Sequence, residues 1–189
     1  MTIMPRLFVI VCSTRPNRIG MPIANWFCER AKAHGAFEIE MVDLKALNLP
    51  PMDEPEHPMK RQYQHAHTKA WSEQVSTADA FVFVTPEYNF SAPPALLNAM
   101  NFLYHEWAFK PVGFVSYGGV SGGLRSVQVI KASVTALKMM PLPEAVTLPF
   151  AAKLFENGVF QPPDVQAAAA AKLLDELLRW HGALSTLRQ

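Results

Sequence analysis

Short runs dense in valine, isoleucine and phenylalanine recur along the chain, separated by longer stretches whose apolar residues fall at helical spacing. No other feature limits the fold as much. A run of five or six apolar residues without polar alternation must be covered on both faces, which is the condition of a strand inside a parallel sheet. Five strands are expected: Leu7 to Cys12, Phe37 to Val42, Ala80 to Thr85, Val112 to Tyr117 and Glu144 to Leu148. Between them, Ile23, Phe27 and Ala31 share one helical face, as do Leu96, Met100 and Leu103, and also Leu124, Val127, Ile130, Val134 and Leu137. Helices over Ala66 to Ser76 and Val165 to Trp180 complete the alternation. Parallel neighbours need right-handed crossovers. The simplest outcome is one α/β domain over 1–189, a doubly wound five-stranded parallel sheet of order 2-1-3-4-5 with helices on both faces. In that order, the loops after the first and third strands flank the point where the winding reverses and ligands bind.

Charge and cysteine content narrow the partners. Seventeen basic residues stand against 16 acidic ones, with no long run of either sign, so neither nucleic acid nor a membrane surface is an expected partner. Cys12 and Cys28 are too few for a disulfide framework, and no Cys/His cluster has zinc-site spacing. No apolar stretch reaches the roughly 20 residues of a spanning helix. A soluble cytoplasmic protein acting on small molecules is expected.

Three loops carry candidate chemistry. After the first strand comes Ser13-Thr14-Arg15-Pro16-Asn17-Arg18-Ile19-Gly20, leading directly into a helix. Hydroxyls, an amide, two guanidinium groups and the free N–H groups of a helix N-terminus all favour a dianion. An N-cap with two solvated arginines is the plainer alternative; the position at the end of an inner strand favours phosphate. No Walker loop or dinucleotide fingerprint is present, because the glycine and lysine pattern of each is missing. The third strand ends in Thr85-Pro86-Glu87-Tyr88-Asn89-Phe90-Ser91-Ala92-Pro93-Pro94. Helix capping explains Ser91 and the prolines but not Glu87-Tyr88-Asn89. Tyr88, in a turn of exposed peptide groups, offers a flat ring both a stacking partner and polar contacts. The fourth strand ends in Ser116-Tyr117-Gly118-Gly119-Val120-Ser121-Gly122-Gly123, where glycines permit close approach to a flat ligand or positive φ.

These residues resemble the NAD(P)H-dependent FMN reductases of flavodoxin-like fold, a family that includes quinone, azo-dye and chromate reductases. The similarity spans nearly the whole chain. The family's phosphate loop, G-S-x-R, is matched by Cys12-Ser13-Thr14-Arg15, and its flavin loop, P-E-Y-N-x-S-x-P, by Pro86-Glu87-Tyr88-Asn89-Phe90-Ser91-Ala92-Pro93. The resemblance implies that Ser13, Arg15, Asn17, Arg18 and Ile19 serve the FMN phosphate. It implies that Pro86, Glu87, Tyr88 and Asn89 line the flavin ring, mainly through backbone, and that Ser116, Gly118 and Gly119 close over it. NADPH or NADH would be the hydride donor, and free flavin, a quinone or a similar small molecule the acceptor. Catalysis would need no protein acid or base. Two departures stand out: Cys12 replaces the usual glycine, and Phe90 a residue that is commonly small. The alternative activity is that of a flavodoxin-type electron carrier, although such carriers are usually acidic.

Other residues are assigned structural roles. His65 and His67, two apart at a helix, are expected to diverge and make a poor metal pair. His34, His105 and His181 sit near helix ends, where a cation is favourable. Cys12 is expected as a buried small residue, with a low-pKa thiol as the alternative. The proline-rich stretch Leu49 to Pro58 reads as a solvated loop, or else a lid or subunit contact. A homodimer or homotetramer is expected, both because the resemblance places the flavin near a subunit interface and because the helix Pro94 to Tyr104 with Phe102, Tyr104 and Trp107 carries excess aromatic surface.

Overall fold

The computed structural model describes residues 4–188. Five parallel strands, β1 (Arg6–Val11), β2 (Glu38–Asp43), β3 (Ala80–Pro86), β4 (Pro111–Tyr117) and β5 (Met140–Leu148), form a sheet of order β2-β1-β3-β4-β5. Six helices connect them: α1 (Gly20–His34), the single turn α2 (Leu44–Leu47), α3 (Ala66–Ser76), α4 (Pro94–Asn101), α5 (Leu124–Ala136) and α6 (Asp164–Ser185). A small hairpin, β6 (Phe155–Glu156) and β7 (Val159–Phe160), precedes α6. This is the flavodoxin-like arrangement. Four strands fall within about a residue of their sequence-based positions. The fifth starts four residues earlier, at Met140, because an edge strand tolerates Pro141 and Pro143 where an inner one would lose ladder bonds. Its pairing with β4 accordingly shifts register between Val112 and Phe114.

The period-2 pleat sorts side chains into two cores of different character. Leu7, Val9, Val11, Val82, Val84, Val115 and Tyr117 face α1 and α6. Phe8, Ile10, Cys12, Phe81, Phe83, Val112 and Phe114 face α3, α4 and α5. All four phenylalanines of the inner strands fall on this second side. Phe102 and Trp107 belong to it, both fully buried, with Trp107 packed against Trp71 and Phe81 at ring-centroid distances of 5.9 and 4.9 Å. This corrects the expectation that they form surplus surface for a subunit contact. Both indoles also terminate α4: Trp71 Nε1 donates to the Ala99 carbonyl at 2.9 Å and Trp107 Nε1 to the Met100 carbonyl at 3.2 Å. Those carbonyls lie in the last turn, where intrahelical donors run out.

At the N-terminal ends of β3 and β4 lies a hollow of about 560 Å³ lined by Lys110, Asp79 and Arg188 among others. Its charges hold one another. Lys110 Nζ donates to the Val75 and Ser76 carbonyls at the end of α3, and Arg188 pairs with Asp79 at 3.2 Å. Burial pulls the Lys110 amine down to about 8, the neighbouring Arg188 charge acting in the same direction. No described helix is long and apolar enough to cross a membrane.

Replacing Trp71 with Phe keeps most of the ring but strands the Ala99 carbonyl. Urea unfolding is expected to show a loss of about 1–3 kcal/mol, the cost of an unsatisfied buried acceptor. An unchanged midpoint would mean the indole bond does not hold the end of α4.

Candidate active site

At the C-terminal edge of the sheet, the loops after β1, β3 and β4 meet around a cleft of about 290 Å³. Of the residues picked out from sequence, Ser13, Arg15, Asn17, Arg18, Ile19, Pro86, Glu87, Tyr88 and Gly118 line it, whereas Asn89, Ser116 and Gly119 do not. Tyr117, Ala151 and Ala152 complete the wall. Tyr117 could have been found in the sequence, since it ends an inner strand beside the glycines. Ala151 and Ala152 carry no chemical signal.

The first loop leaves hydrogen-bond donors unmatched. Helix α1 begins with no side-chain cap and no acid in its first turn, so its N-terminal N–H groups and partial positive charge are left for something else. Arg15 and Asn17 are exposed beside it. Arg18 is held by Asp43, Nη2 to Oδ2 at 2.5 Å, while its Nη1 is buried without a partner. The Tyr117 hydroxyl is also buried and unpartnered. Burial pushes that phenol well above its ordinary value, so it stays protonated and able to donate. It lies 2.4 Å from where a Cβ on Gly20 would stand, so a larger first residue of α1 would push the Tyr117 ring out of this position. Ser13 is buried, its Oγ 2.6 Å from the Tyr88 hydroxyl, which joins the first and third loops directly.

The third loop is a two-residue hairpin. Tyr88 and Ser91 exchange both backbone bonds, at 3.0 and 2.9 Å, and Asn89 and Phe90 turn between them with φ of 48° and 65°. Positive φ at both positions marks a type I′ turn. Asparagine suits the first position, but phenylalanine in the second costs about 1–2 kcal/mol. Two readings from sequence need correction here. Asn89 stands in the turn, clear of the cleft, and the N–H groups of Glu87 and Tyr88 are already bonded to the Tyr117 and Ser91 carbonyls. Backbone donors toward a ligand are thus fewer than the exposed turn suggested.

The Glu87 carboxylate, 8% exposed, ties this loop to the fourth. Oε1 accepts from Arg125 Nε at 2.7 Å; Oε2 accepts from the Ser121 hydroxyl at 2.7 Å and the Arg125 backbone N–H at 3.1 Å. Burial by itself would raise this carboxyl, but the Ser121 and Arg125 bonds outweigh it and hold it below the usual carboxylate value. Its side chain therefore positions loops. The glycines act mainly within their own loop: Gly123, at φ 89°, has backbone 2.7 Å from where its Cβ would lie, at the Tyr117 nitrogen. Ser116 packs beneath Gly123 with its hydroxyl buried and unpartnered, and it does not line the cleft. Gly119 is exposed, its carbonyl accepting from Gly122 and Phe150.

The remaining candidates resolve structurally. His65 and His67 do not diverge. His65 precedes α3 instead of lying within it, so the two rings stack at 5.2 Å and both reach Asp53. Among the described residues no group of three or more His, Cys, Asp or Glu is arranged to hold a metal. Cys12 is buried, and desolvation raises its pKa, which removes the reactive-thiol alternative. The stretch Leu49 to Pro58 is pinned down: Asn98 bonds Pro50 and Met52, and Glu54 accepts from the N–H groups of Gln64 and His65 ahead of α3.

A doubly wound sheet with a cleft, an uncapped helix and unmatched donors at its switch point defines a flavodoxin-like protein. The flavoenzyme NAD(P)H:(acceptor) oxidoreductase FerB from Paracoccus denitrificans has this fold, with a TM-score of 0.74 over 95% of this chain and 98% of that one at 19% identity. The sequence model of the NADPH-dependent FMN reductase family matches residues 5–153. An NAD(P)H-dependent FMN reductase of Schizosaccharomyces pombe is 39% identical over 188 residues, 98% of this chain and 91% of that protein. A quinone reductase of Pseudomonas putida is 32% identical over 79% of this chain and 81% of its own length. The chain belongs to the NADPH-dependent FMN reductase family, and it is an oxidoreductase whose cofactors are FMN and NAD(P)H.

Substituting Glu87 with Gln removes the charge that three donors converge on. A loss of about 1.5–3 kcal/mol is expected at pH 7. A carboxyl whose folded pKa is depressed contributes stability above its unfolded value, near 4.3, and loses it as pH falls through the folded value. The gap between wild type and Glu87→Gln in chemical unfolding should therefore close below about pH 4. A gap that stays constant from pH 7 to pH 3 would show that the charge contributes nothing.

Proposed function

We propose that the cleft holds FMN with its phosphate at the N-terminus of α1, and that the enzyme oxidises NAD(P)H and reduces a quinone, free flavin or similar small acceptor. The observation that carries this reading is the set of unmatched donors at one place: an uncapped 15-residue helix, Arg18 Nη1 and the Tyr117 hydroxyl, the last two buried with no partner. Buried donors are nearly always satisfied, so a cluster of exceptions beside exposed Arg15 fits an anionic group. When bound, FMN supplies the redox chemistry, taking hydride from the nicotinamide and passing electrons to the acceptor. The protein's part is to bind and orient. Arg15, Arg18, Tyr117 and the α1 N–H groups hold the phosphate. Pro86 to Tyr88, Gly118 and Ala151 form the walls around the ring, and Glu87 keeps the two ring-facing loops in register. The quinone part of the reading is supported by the name of the Pseudomonas putida relative. The two unpaired cysteines suit a reducing cytoplasm.

Arg15→Ala is expected to weaken FMN binding about 10- to 150-fold, the value of one charge-assisted hydrogen bond, and to leave riboflavin affinity nearly unchanged. Equal losses for both ligands would place Arg15 on the ring or the fold instead. With one cleft serving donor and acceptor in turn, steady-state kinetics should give parallel double-reciprocal lines. Intersecting lines with NADPH and a benzoquinone would overturn the shared site.

A homodimer or homotetramer remains part of the reading, now placed on the shallow apolar strip of Leu49, Pro51, Pro94 and Leu97 in view of the burial of Phe102 and Trp107. Leu97→Lys should shift light-scattering mass toward the monomer, and a fully active wild-type monomer would remove this surface from consideration.

A further inference from the structure

Two exposed phenylalanines stand close along the chain to cleft-lining residues, and they share three unusual properties. Phe90 and Phe150 are 64% and 50% exposed, both have left-handed backbone, with φ of 65° and 48°, and each carries a cation over its ring. The Arg125 guanidinium lies 3.8 Å from the Phe90 centroid, and Lys153 Nζ lies 5.3 Å from that of Phe150. Phe90 follows the cleft-lining residues Pro86 to Tyr88, and Phe150 immediately precedes Ala151 and Ala152. Phe109, at the other end of the sheet, also has left-handed backbone (φ 59°) and a lysine 5.6 Å from its ring, but it is half-buried. A strained, exposed ring loses the gain of burial, so its occurrence at Phe90 and Phe150, beside cleft-lining residues, points to use.

Arg125 is also pre-organised. Its Nε is fixed on Glu87 and its plane on Phe90, yet neither terminal nitrogen has a hydrogen-bond partner among the described residues. A guanidinium held on one edge and one face, with its outer fork open, suits a phosphate. The pairing of an exposed ring with a cation, repeated at two positions, matches a ligand that alternates flat bases with phosphates. A simple quinone has no phosphate to offer.

We propose that Phe90–Arg125 and Phe150–Lys153 form a docking platform for the pyridine dinucleotide, a ring stacking on its adenine and the two cations taking its phosphates, with the nicotinamide left to reach the cleft. This rests on the reading of the cleft as the FMN site. The platform would select the hydride donor at the rim, while the cofactor is held by different residues deeper in the cleft.

The test uses FMN-loaded wild type, Arg125→Gln, Lys153→Gln and Phe90→Ser, each titrated with the unreactive oxidised dinucleotides NADP+ and NAD+ and followed by flavin fluorescence. Affinity for NADP+ is expected to fall about tenfold in Arg125→Gln, as for a lost charge-assisted hydrogen bond, and measurably in the other two variants. FMN affinity should change less than twofold in Lys153→Gln and Phe90→Ser, neither of which touches Glu87. An equal fall for NAD+ would assign the cation to the diphosphate bridge, and a fall confined to NADP+ would assign it to the 2′-phosphate; both support the platform. Unchanged dinucleotide affinity in all three variants with FMN bound would overturn it, as would variants that lose only subunit assembly. A wild-type protein that takes up no FMN would strike the cleft reading itself, and the platform with it.

Discussion

The site depends on a carboxylate that water scarcely reaches. An ionised group removed from solvent is tolerated only if it is paired and hydrogen-bonded, and Glu87 meets that condition by drawing in the Ser121 hydroxyl and two nitrogens of Arg125. The arrangement has consequences in both directions. It caps α5 with a negative charge at its positive end, which a serine alone would do more weakly. It also fixes how far the hairpin after β3 stands from the glycine loop after β4, and so sets the width of the cleft between them. On the opposite wall, the Ser13–Tyr88 bond joins the same hairpin to the loop after β1. Three loops from three strands are thereby locked through one turn.

That turn shows what could and could not be read from the sequence. The sheet order, both helix faces and the convergence of the three loops follow from hydrophobic period and crossover handedness, which are local or topological quantities. The lining residues of the first loop follow as well, since a strand end fixes where the next few residues go. What stayed hidden depends on side chains meeting across long sequence separations. Nothing near Glu87 announces that Arg125 will neutralise it, and Phe102 and Trp107 look like surface until Trp71 and Phe81 are brought against them. Ser116 lies off the cleft wall for a simpler reason: strand residues alternate, and it is its neighbour Tyr117 that lines the cleft.

In the proposed FMN site, the two arginines of the first loop would divide the work of holding the phosphate. Arg18, paired with Asp43 and largely shielded, adds almost no net charge; its value is a rigid N–H direction whose side-chain entropy is already lost on folding. Arg15 is the reverse, a full charge on a free arm. Together with about half a charge from the end of α1, Arg15 offsets most of a phosphate dianion. Because Arg15 is in water, two unit charges at 4 Å gain only about 1–4 kcal/mol there, against the much larger values of a dry interior. On that reading the site would draw its selectivity for phosphate from the buried donors and its attraction from the exposed one. A ligand lacking the phosphate forfeits both, leaving Arg18 Nη1 and the Tyr117 hydroxyl as unsatisfied as they are in the bare protein.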